Sequence, residues 1–581
     1  MQEPTAYFGH EVGTGKTFVL GAAMIEKKRI GQVRKPVIPC LKANIKQVTQ
    51  QIQELYPTAR IFSGDGAFES ENRKTEIAAL ANNNYDLIIL SYNQFDSIPI
   101  SKETQKNYIK SELGVLEQSI AFAYEAEGKK SRLVTKLNKR SAALETQLEK
   151  VLAKPKDDVL DFEETGIDYI AIDEAHSFKS LPIYTSMNGI KGIPTSRSDR
   201  ATNMQMRSEY LREKHGEGRL VMASGTPVTN TVAELYNVMV FTMPEILEER
   251  GLRNFDDFAR SYTEIVTKIE PTVTGDYKEQ SRLAKFINTP ELRSLAGNVL
   301  DIVKAEDAGV TRPERRDIVI SVPISQEQIT YRDFLKDRAE NMKNVDPWVD
   351  NHLKLMNDGR LMSLDMRLVD EAAEDNPNSK VNYLISNVLR IAEEKPGSTQ
   401  LIFSNLGIHE NEKTGHSVFN DVVNKLVEGG IPRERIANFA KLSPKKRKEA
   451  IEKLNNGEIL VALGSTETLG TGVNAQKFIS AAHNLDVPWL PSAVEQRDGR
   501  SVRNGNIFAE LDEHIELYRY VTVGSFDELG WTIIDRKMNF INQIVTNKLD
   551  GQRTFEEPDT EEFSAAQISA IASGNPDVMK R

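Results

Sequence analysis

The stretch Gly9-His10-Glu11-Val12-Gly13-Thr14-Gly15-Lys16-Thr17 runs straight into Phe18-Val19-Leu20-Gly21-Ala22-Ala23-Met24-Ile25, and no other feature constrains the chain more. A glycine-rich turn that opens a helix offers a nest of backbone N–H groups at the positive end of the helix dipole, and that combination binds phosphate. In such a loop Gly13, Thr14 and Gly15 wrap the phosphates, Lys16 reaches the terminal ones and the Thr17 hydroxyl holds Mg²⁺. The strict spacing asks for glycine where His10 stands, so the pattern departs at its first position. An ordinary loop before a helix is the plain alternative, and the rest of the chain has to decide between them.

At 581 residues the chain exceeds what one hydrophobic core serves, and about two to four domains are expected. With 39% hydrophobic and 27% charged residues it has the composition of a globular protein. No apolar run approaches the roughly 18–20 residues that span a bilayer. Met1 to Tyr7 lacks the basic-then-apolar pattern of a secretory signal. The expectation is a cytoplasmic protein with no membrane partner. The single cysteine, Cys40, excludes an internal disulfide framework and a Cys-rich zinc site. A net charge of −11 argues against a protein that coats DNA, though not against one that grips it locally.

Pro36 to Cys40 is a short apolar strand candidate, and Asn44 to Tyr56 has helical spacing through Ile45, Val48, Ile52 and Leu55. Tyr85 to Tyr92 is a second strand. Strand and helix in alternation argue for a parallel sheet covered by helices. Residues 101–165 break that rhythm. Leu113, Leu116 and Ile120, then Leu133, Leu137, Leu144, Leu148 and Val151, predict an inserted helical hairpin with its turn at 127–131. The sheet resumes at Ile167 to Ile172, which runs into Asp173-Glu174-Ala175-His176. Two carboxylates at a strand's C-terminal end stand where α/β sheets bind ligands. There Asp173 would support Mg²⁺, and Glu174 would orient and deprotonate an attacking water. Arg219 to Pro227 gives another strand, closing on Ser224 and Thr226, whose hydroxyls suit sensing a phosphate.

The stretch 246–375 reads as a helical connecting region, with Arg312, Arg315 and Arg316 in a solvated loop and a linker at Asp375 to Asn378. Beyond it, Lys380 to Glu393, Val418 to Gly429 and Pro444 to Asn455 read as helices. Thr399 to Ser404, Ile459 to Leu463 and Ala481 to Val487 read as strands, and Gly464 to Asn474 as a glycine-rich turn. Then comes Glu495-Gln496-Arg497-Asp498-Gly499-Arg500-Ser501-Val502-Arg503. If that segment is helical, Arg500 and Arg503 share one face. Two guanidiniums so placed suit a triphosphate, where an arginine finger contributes about 10³–10⁵ to phosphoryl transfer. Tyr518 to Ile544 reads as a strand and a long amphipathic helix.

Laid out in this order, the segments resemble a superfamily 2 helicase-type ATPase, nearest the SWI/SNF-like branch. Within that branch the chain is similar to the helicase part of phage and mobile-element proteins that join such an ATPase to an adenine-N6 DNA methyltransferase, antirestriction proteins among them. His10 to Thr17 matches motif I, with the first glycine replaced, and Asp173-Glu174-Ala175-His176 matches motif II. Ser224-Gly225-Thr226-Pro227 matches motif III, Thr466 to Asn474 motif V, and Gln496 to Arg503 motif VI. The resemblance covers roughly residues 5–550.

It implies an α/β fold of two RecA-like P-loop lobes, parallel sheets flanked by helices. Lobe one would be 1–245 with its hairpin insertion at about 101–165, followed by the connecting region 246–375, lobe two at 376–545 and a polar tail at 546–581. The implied cofactors are ATP and Mg²⁺. Lys16, Thr17, Asp173 and Glu174 would act from lobe one, and Arg500 and Arg503 from lobe two. Gln496 and Gly472 would touch the nucleotide as well, and His176, Ser224 and Thr226 would couple its state to movement. DNA would cross both lobes near Pro39, Ser91, Ser404 and Thr466. The family's adenine-contacting strand lies upstream of motif I, where about eight residues stand, so an N-terminally trimmed chain is expected. A methyltransferase tetrapeptide of the Asn/Asp-Pro-Pro-Tyr kind is matched neither by Asp375-Asn376-Pro377-Asn378 nor by Asp486-Val487-Pro488-Trp489. A methyltransferase domain or subunit would therefore lie outside this chain. The expected activity is that of a DNA-dependent ATPase, a translocase or helicase of a bacterial or phage-infected cell, or one associated with a virion. A catalytically incomplete DNA- or partner-binding scaffold and an RNA helicase are the competing readings.

Overall fold

The computed structural model describes residues 5–66, 72–127, 131–153, 159–178, 180–187, 190–191, 193, 198–216, 218–225, 232–271, 277–305, 307–341, 350–470, 475–511, 513–545 and 554–556. The chain divides into two compact units, one built mainly from Met1–Thr267 with Gln280–Ala308, the other mainly from Gly309–Phe540.

Seven strands make the sheet of the first unit: β1 (Ala6–His10), β2 (Pro36–Cys40), β3 (Ile61–Ser63), β4 (Leu87–Ser91), β5 (Tyr169–Asp173), β6 (Leu220–Ala223) and β7 (Leu300–Val303). Their order is β7-β1-β6-β5-β2-β4-β3, and every pairing is parallel. Every residue of β2, β4, β5 and β6 is buried, as continuous apolar runs dictate when helices cover both faces. Helices α1 (Lys16–Arg29) and α2 (Ile45–Leu55) supply one cover, packing Leu20, Met24, Val48 and Ile52 against Ile38 and Ile89. Because β1, β6 and β5 are neighbours and parallel, the loops that leave their C-terminal ends emerge side by side. Those loops carry the glycine-rich turn, the Ser224 segment and the Asp173–Glu174 pair.

The inserted hairpin is α3 (Lys102–Glu127) and α4 (Arg132–Ala153), zipped by Leu116, Leu133, Leu137 and Leu144, and it also packs on Tyr184 and Met206. The expected turn lies mostly at 128–130, outside the described residues. Periodicity missed β1. The few residues before the phosphate loop do form a strand, and it lies inside the sheet between β6 and β7. The connecting stretch holds helices, as expected, and in addition strands that its broken periodicity hid. One of them, β7, joins the first unit's sheet. Another, β8 (Glu314–Pro323), joins the second unit's sheet and carries Arg315 and Arg316, which had been assigned to a loop.

The second unit holds a six-stranded parallel sheet: β8, β9 (Thr399–Phe403), β10 (Ile436–Asn438), β11 (Val461–Gly464), β12 (Ile479–Asn484) and β13 (His514–Val523), in the order β8-β13-β12-β9-β11-β10. Helices α5 (Lys380–Glu394) and α6 (Val418–Glu428) bury Val381, Leu384, Val388, Val422 and Leu426 against Ile402 and Val461. The other face packs Ala450 and Leu454 of α7 (Pro444–Asn455) with Phe403 and Ala462. Helix α8 (Pro491–Ser501) follows β12, and α9 (Phe526–Val545) follows β13. Each unit is thus a RecA-like lobe, an open parallel sheet with helices on both faces.

Inside the second lobe His483 lies stacked on Tyr518 with ring centroids 4.8 Å apart, its nitrogens 3.0 Å from the Tyr520 hydroxyl and 3.0 Å from Gln400 Oε1. Burial, aided by the Arg390 charge, pushes its pKa down to about 3. The imidazole is neutral in the folded chain, and the unfolded chain takes up a proton below about pH 6.5. Its stability contribution is therefore complete above that value and is lost as pH falls towards 3. Hydrogen exchange at the β12 amides should show this lobe losing about 2 kcal/mol between pH 6.5 and pH 5. Protection that stays flat over that range would mean the ring takes up protons without opening the lobe.

Candidate active site

The loop after β1 is shaped by Gly13 (φ 90°) and Gly15 (φ 88°), both in the left-handed region, where a side chain would be strained. Gly15 caps α1, so Lys16 and Thr17 are that helix's first residues. Their backbone N–H groups are therefore among the four that a helix leaves without an intrahelical acceptor. His10, the departure from the usual spacing, is not part of the turn. It is the last residue of β1, buried, with Nε2 2.9 Å from Asp301 Oδ2 of β7 and its ring 5.1 Å from that of Phe8. An extended strand position does not need glycine. Glu11 ties the loop down on the same side: its N–H donates to Val303 O at 2.9 Å and its carboxylate accepts from the Ala305 N–H at 2.9 Å.

Lys16 Nζ donates to His10 O (2.8 Å) and Glu11 O (3.2 Å), across the mouth of the loop. The Ser224 segment closes on it. A Cβ added to Gly225 would lie 3.2 Å from Val12 Cγ2 and 3.6 Å from Lys16 Nζ. On the other side of β6 the chain leaves β5 with Asp173 buried and Glu174 at φ 53°, one of two non-glycine residues at positive φ among the described residues. That conformation costs of order 1–3 kcal/mol and persists only where its surroundings hold it. Here the Tyr92 hydroxyl donates to the Asp173 carbonyl, and the Glu174 N–H donates to Asp173 Oδ1 at 3.0 Å.

Burial, with the Glu174 charge next, raises the Asp173 pKa to about 7, against the opposing pull of Lys16. Among the described residues no lysine or arginine comes within ion-pairing distance of this carboxylate. A buried acid so placed is short of positive charge, which a divalent cation would supply. His176 bridges two segments. Its Nδ1 lies 3.3 Å from Glu174 Oε2 and 3.2 Å from Ser224 Oγ, giving a polar path from β5 to β6. Thr226, assigned a similar part, lies outside the described residues.

In the second lobe the three arginines of Gln496 to Arg503 separate by environment. Arg497 is fully buried. Its Nε donates to Thr466 Oγ1 (2.8 Å) and its Nη1 to Asp486 O (3.2 Å), while Nη2 lies 2.9 Å from Asp486 Oδ1 as an ion pair without hydrogen-bond alignment. It locks motif V to motif VI. Arg500 and Arg503 are partly exposed, with Nε donating to Gly470 O (2.7 Å) and to Gly499 O (2.8 Å). They do not share a helix face, because α8 ends at Ser501 and Val502 turns the chain out of helical geometry. Arg503 instead folds back along the helix end. Gln496 is half-buried on α8, and Gly472 lies outside the described residues.

Of the residues expected to lie near DNA, three are packed into the lobes and the fourth is held from within. Pro39 is buried within β2. Ser91 is buried as the N-cap of the helix that follows β4, accepting from the Gln94 N–H at 3.2 Å. Ser404 is buried, its hydroxyl bonded to Leu406 O at 2.8 Å. Thr466 is engaged by Arg497. A residue at a strand's end is as often packed into the sheet as presented from it, and spacing alone does not tell which. The loops beside them do expose Lys42, Asn405 and Glu467. Sequence reasoning also missed Tyr92, Asp301 and Asp486, single residues in apolar or unremarkable stretches that gave no signal of their own.

A phosphate-type loop after β1, paired acids after β5 and an arginine-bearing helix in a second lobe of the same fold make up a helicase-type arrangement. Residues 2–303 match the family described as "Probable helicase domain", and residues 379–505 match "Helicase conserved C-terminal domain". The first match covers more than half of the chain, which therefore belongs to that helicase family. The chain is 20% identical to the Defense against restriction protein B of Escherichia phage P1 over 607 residues, covering 80% of this chain and 26% of the phage protein. It is 22% identical over 372 residues to the "DNA repair and recombination protein RAD54-like" of Drosophila willistoni, covering 59% of this chain and 44% of that protein. It thus spans about a quarter of the phage relative and under half of the fly one. Among solved structures it is similar to the Sulfolobus solfataricus SWI2/SNF2 ATPase core in complex with dsDNA (14% identity, TM-score 0.29, covering 94% of this chain and 89% of that one). It is also similar to the DUF1998 helicase MrfA bound to DNA (11% identity, TM-score 0.43, covering 93% and 49%).

Proposed function

We propose that this chain is an ATP-dependent DNA translocase or helicase, part of a larger phage or mobile-element protein that processes or modifies DNA. The observation that carries the reading is the buried, charge-deficient Asp173, with Glu174, Lys16 and Ser224 gathered around it on neighbouring strand ends. When bound, Mg·ATP supplies the phosphoryl group. The backbone N–H groups around Gly13 to Thr17 would hold its phosphates, and Lys16, now on its loop carbonyls, would neutralise the terminal ones. Thr17 and Asp173 would hold the metal, and Glu174 would take the proton of the attacking water. His176 passes the state of that site to Ser224. Arg500 and Arg503 of the second lobe, with Gln496, would add the positive charge that phosphoryl transfer needs. Most of the rate gain then comes from positioning and charge neutralisation. The name of one relative, a DNA repair and recombination protein, supports DNA as the polymer, and a methyltransferase domain or subunit outside this chain is part of the same proposal.

The reading of an inactive scaffold keeps one observation in its favour, the Lys16 ammonium already satisfied by its own loop. ATP hydrolysis measured with single-stranded DNA, duplex DNA and RNA separates the cases. Stimulation by DNA above RNA is expected. A folded chain that hydrolyses no ATP with any DNA would be the scaffold, and stimulation by RNA alone would make it an RNA helicase. A strand-displacement assay then tells translocation on duplex from unwinding.

A further inference from the structure

On the second lobe, far along the sheet from β8, the edge strand β10 forms the floor of a groove of about 620 Å³ between α6 and α7. Arg433, Lys441, Lys446 and Lys453 line it, against two acids, Glu434 and Glu449. The excess is local. Between residues 441 and 453 stand Lys441, Lys445, Lys446, Arg447, Lys448 and Lys453 with only Glu449 and Glu452, in a chain whose net charge is −11. Lys446, Glu449, Ala450 and Lys453 are spaced as one helix face, and that face lines the groove. Arg447 is spent on the Phe439 carbonyl at 3.0 Å and Lys441 on Asn420 at 2.8 Å. The Lys446 and Lys453 ammonium groups, both exposed, have no ion-pair or hydrogen-bond partner among the described residues.

Exposed, unpaired lysines side by side on the helix face that walls an open channel hold little structural energy and create a concentrated positive field. We infer that this groove seats the phosphate backbone of nucleic acid, a contact on the flank of the lobe separate from the residues after β9, β11 and β12. Several features favour a phosphate backbone over an acidic protein segment. Of the apolar residues that line the groove, Val423, Ile436, Ala437, Ala450 and Ile459 are buried and Leu442 alone is partly exposed, so the groove offers little of the apolar anchoring pocket that protein partners need. Flexible point charges with an exposed amide, Asn424, between them match sequence-independent backbone contact.

The inference rests on the DNA reading above, and one experiment separates the two. The full chain and its K446Q/K453Q variant are titrated with a DNA duplex over a range of salt, and with polyglutamate in parallel. Losing two phosphate contacts should flatten the log–log salt dependence by about 2 and weaken low-salt binding by about tenfold. ATP hydrolysis at saturating DNA should stay at the wild-type value, because neither lysine belongs to the nucleotide machinery. Wild type that binds duplex with a salt slope identical to the variant's overturns the groove and leaves the functional reading standing. Polyglutamate binding that the variant alone loses, with duplex binding unchanged, assigns the groove to an acidic protein segment and also overturns it. Wild type that binds no DNA at any salt removes the functional reading, and the groove with it.

Discussion

Arg500→Ala and Arg503→Ala are each expected to lower DNA-stimulated ATP hydrolysis by about 10³-fold or more while the protein melts close to wild type. Their Nε bonds, to Gly470 O and Gly499 O, lie at partly exposed positions and are worth about 0.5–1.5 kcal/mol each. Arg497→Ala should behave in the opposite way. It strips a fully buried guanidinium from Asp486 and Thr466, leaves the buried Asp486 carboxylate with only Arg360 at 3.6 Å and the Asn405 N–H, and should cost the second lobe about 3 kcal/mol. Denaturant melts beside steady-state kinetics on the three variants read this out. The assignment fails if Arg500→Ala hydrolyses ATP as wild type does, or if Arg497→Ala is as stable as its parent.

The second large effect belongs to Glu174. Removing a positioned general base costs about 10²–10⁴ in rate, so Glu174→Gln should bind ATP yet turn over at that fraction of the wild-type kcat. The same change should alter stability with a definite sign. The folded state raises the Asp173 pKa to about 7, partly through the Glu174 charge, so folding favours the protonated acid. Stability is then lost as pH rises through about 7, where Asp173 ionises next to Glu174. Taking away the neighbouring charge relieves that cost. The nucleotide-free variant should melt above wild type at alkaline pH, with the gap narrowing as pH falls. An equal melting temperature across that range would show that the two carboxylates do not share a field. Undiminished hydrolysis would remove Glu174 from the chemistry.

The amino-acid order alone determined the elements whose information is contiguous. Gly13, Gly15, Lys16 and Thr17 work within one turn, and Asp173 with Glu174 within one strand end, so a short window holds all that their geometry needs. The buried strands β2, β4, β5 and β9 were legible for the same reason, as apolar runs that only a sheet covered on both faces can accept. Tertiary structure decided the rest. It placed His10 opposite Asp301, a partner 291 residues away in sequence, and so explained why a histidine stands at the loop's first position. It drew β7 and β8 out of a stretch that reads as helical and gave them to different sheets, because an edge strand of a parallel sheet is fixed by its distant partner more than by its own pattern. It also sorted three arginines within seven residues into one that is packed inside the lobe and two that reach its surface, and it buried Pro39, Ser91 and Ser404. Burial is set by what packs against a residue from elsewhere in the chain, and no local spacing encodes it.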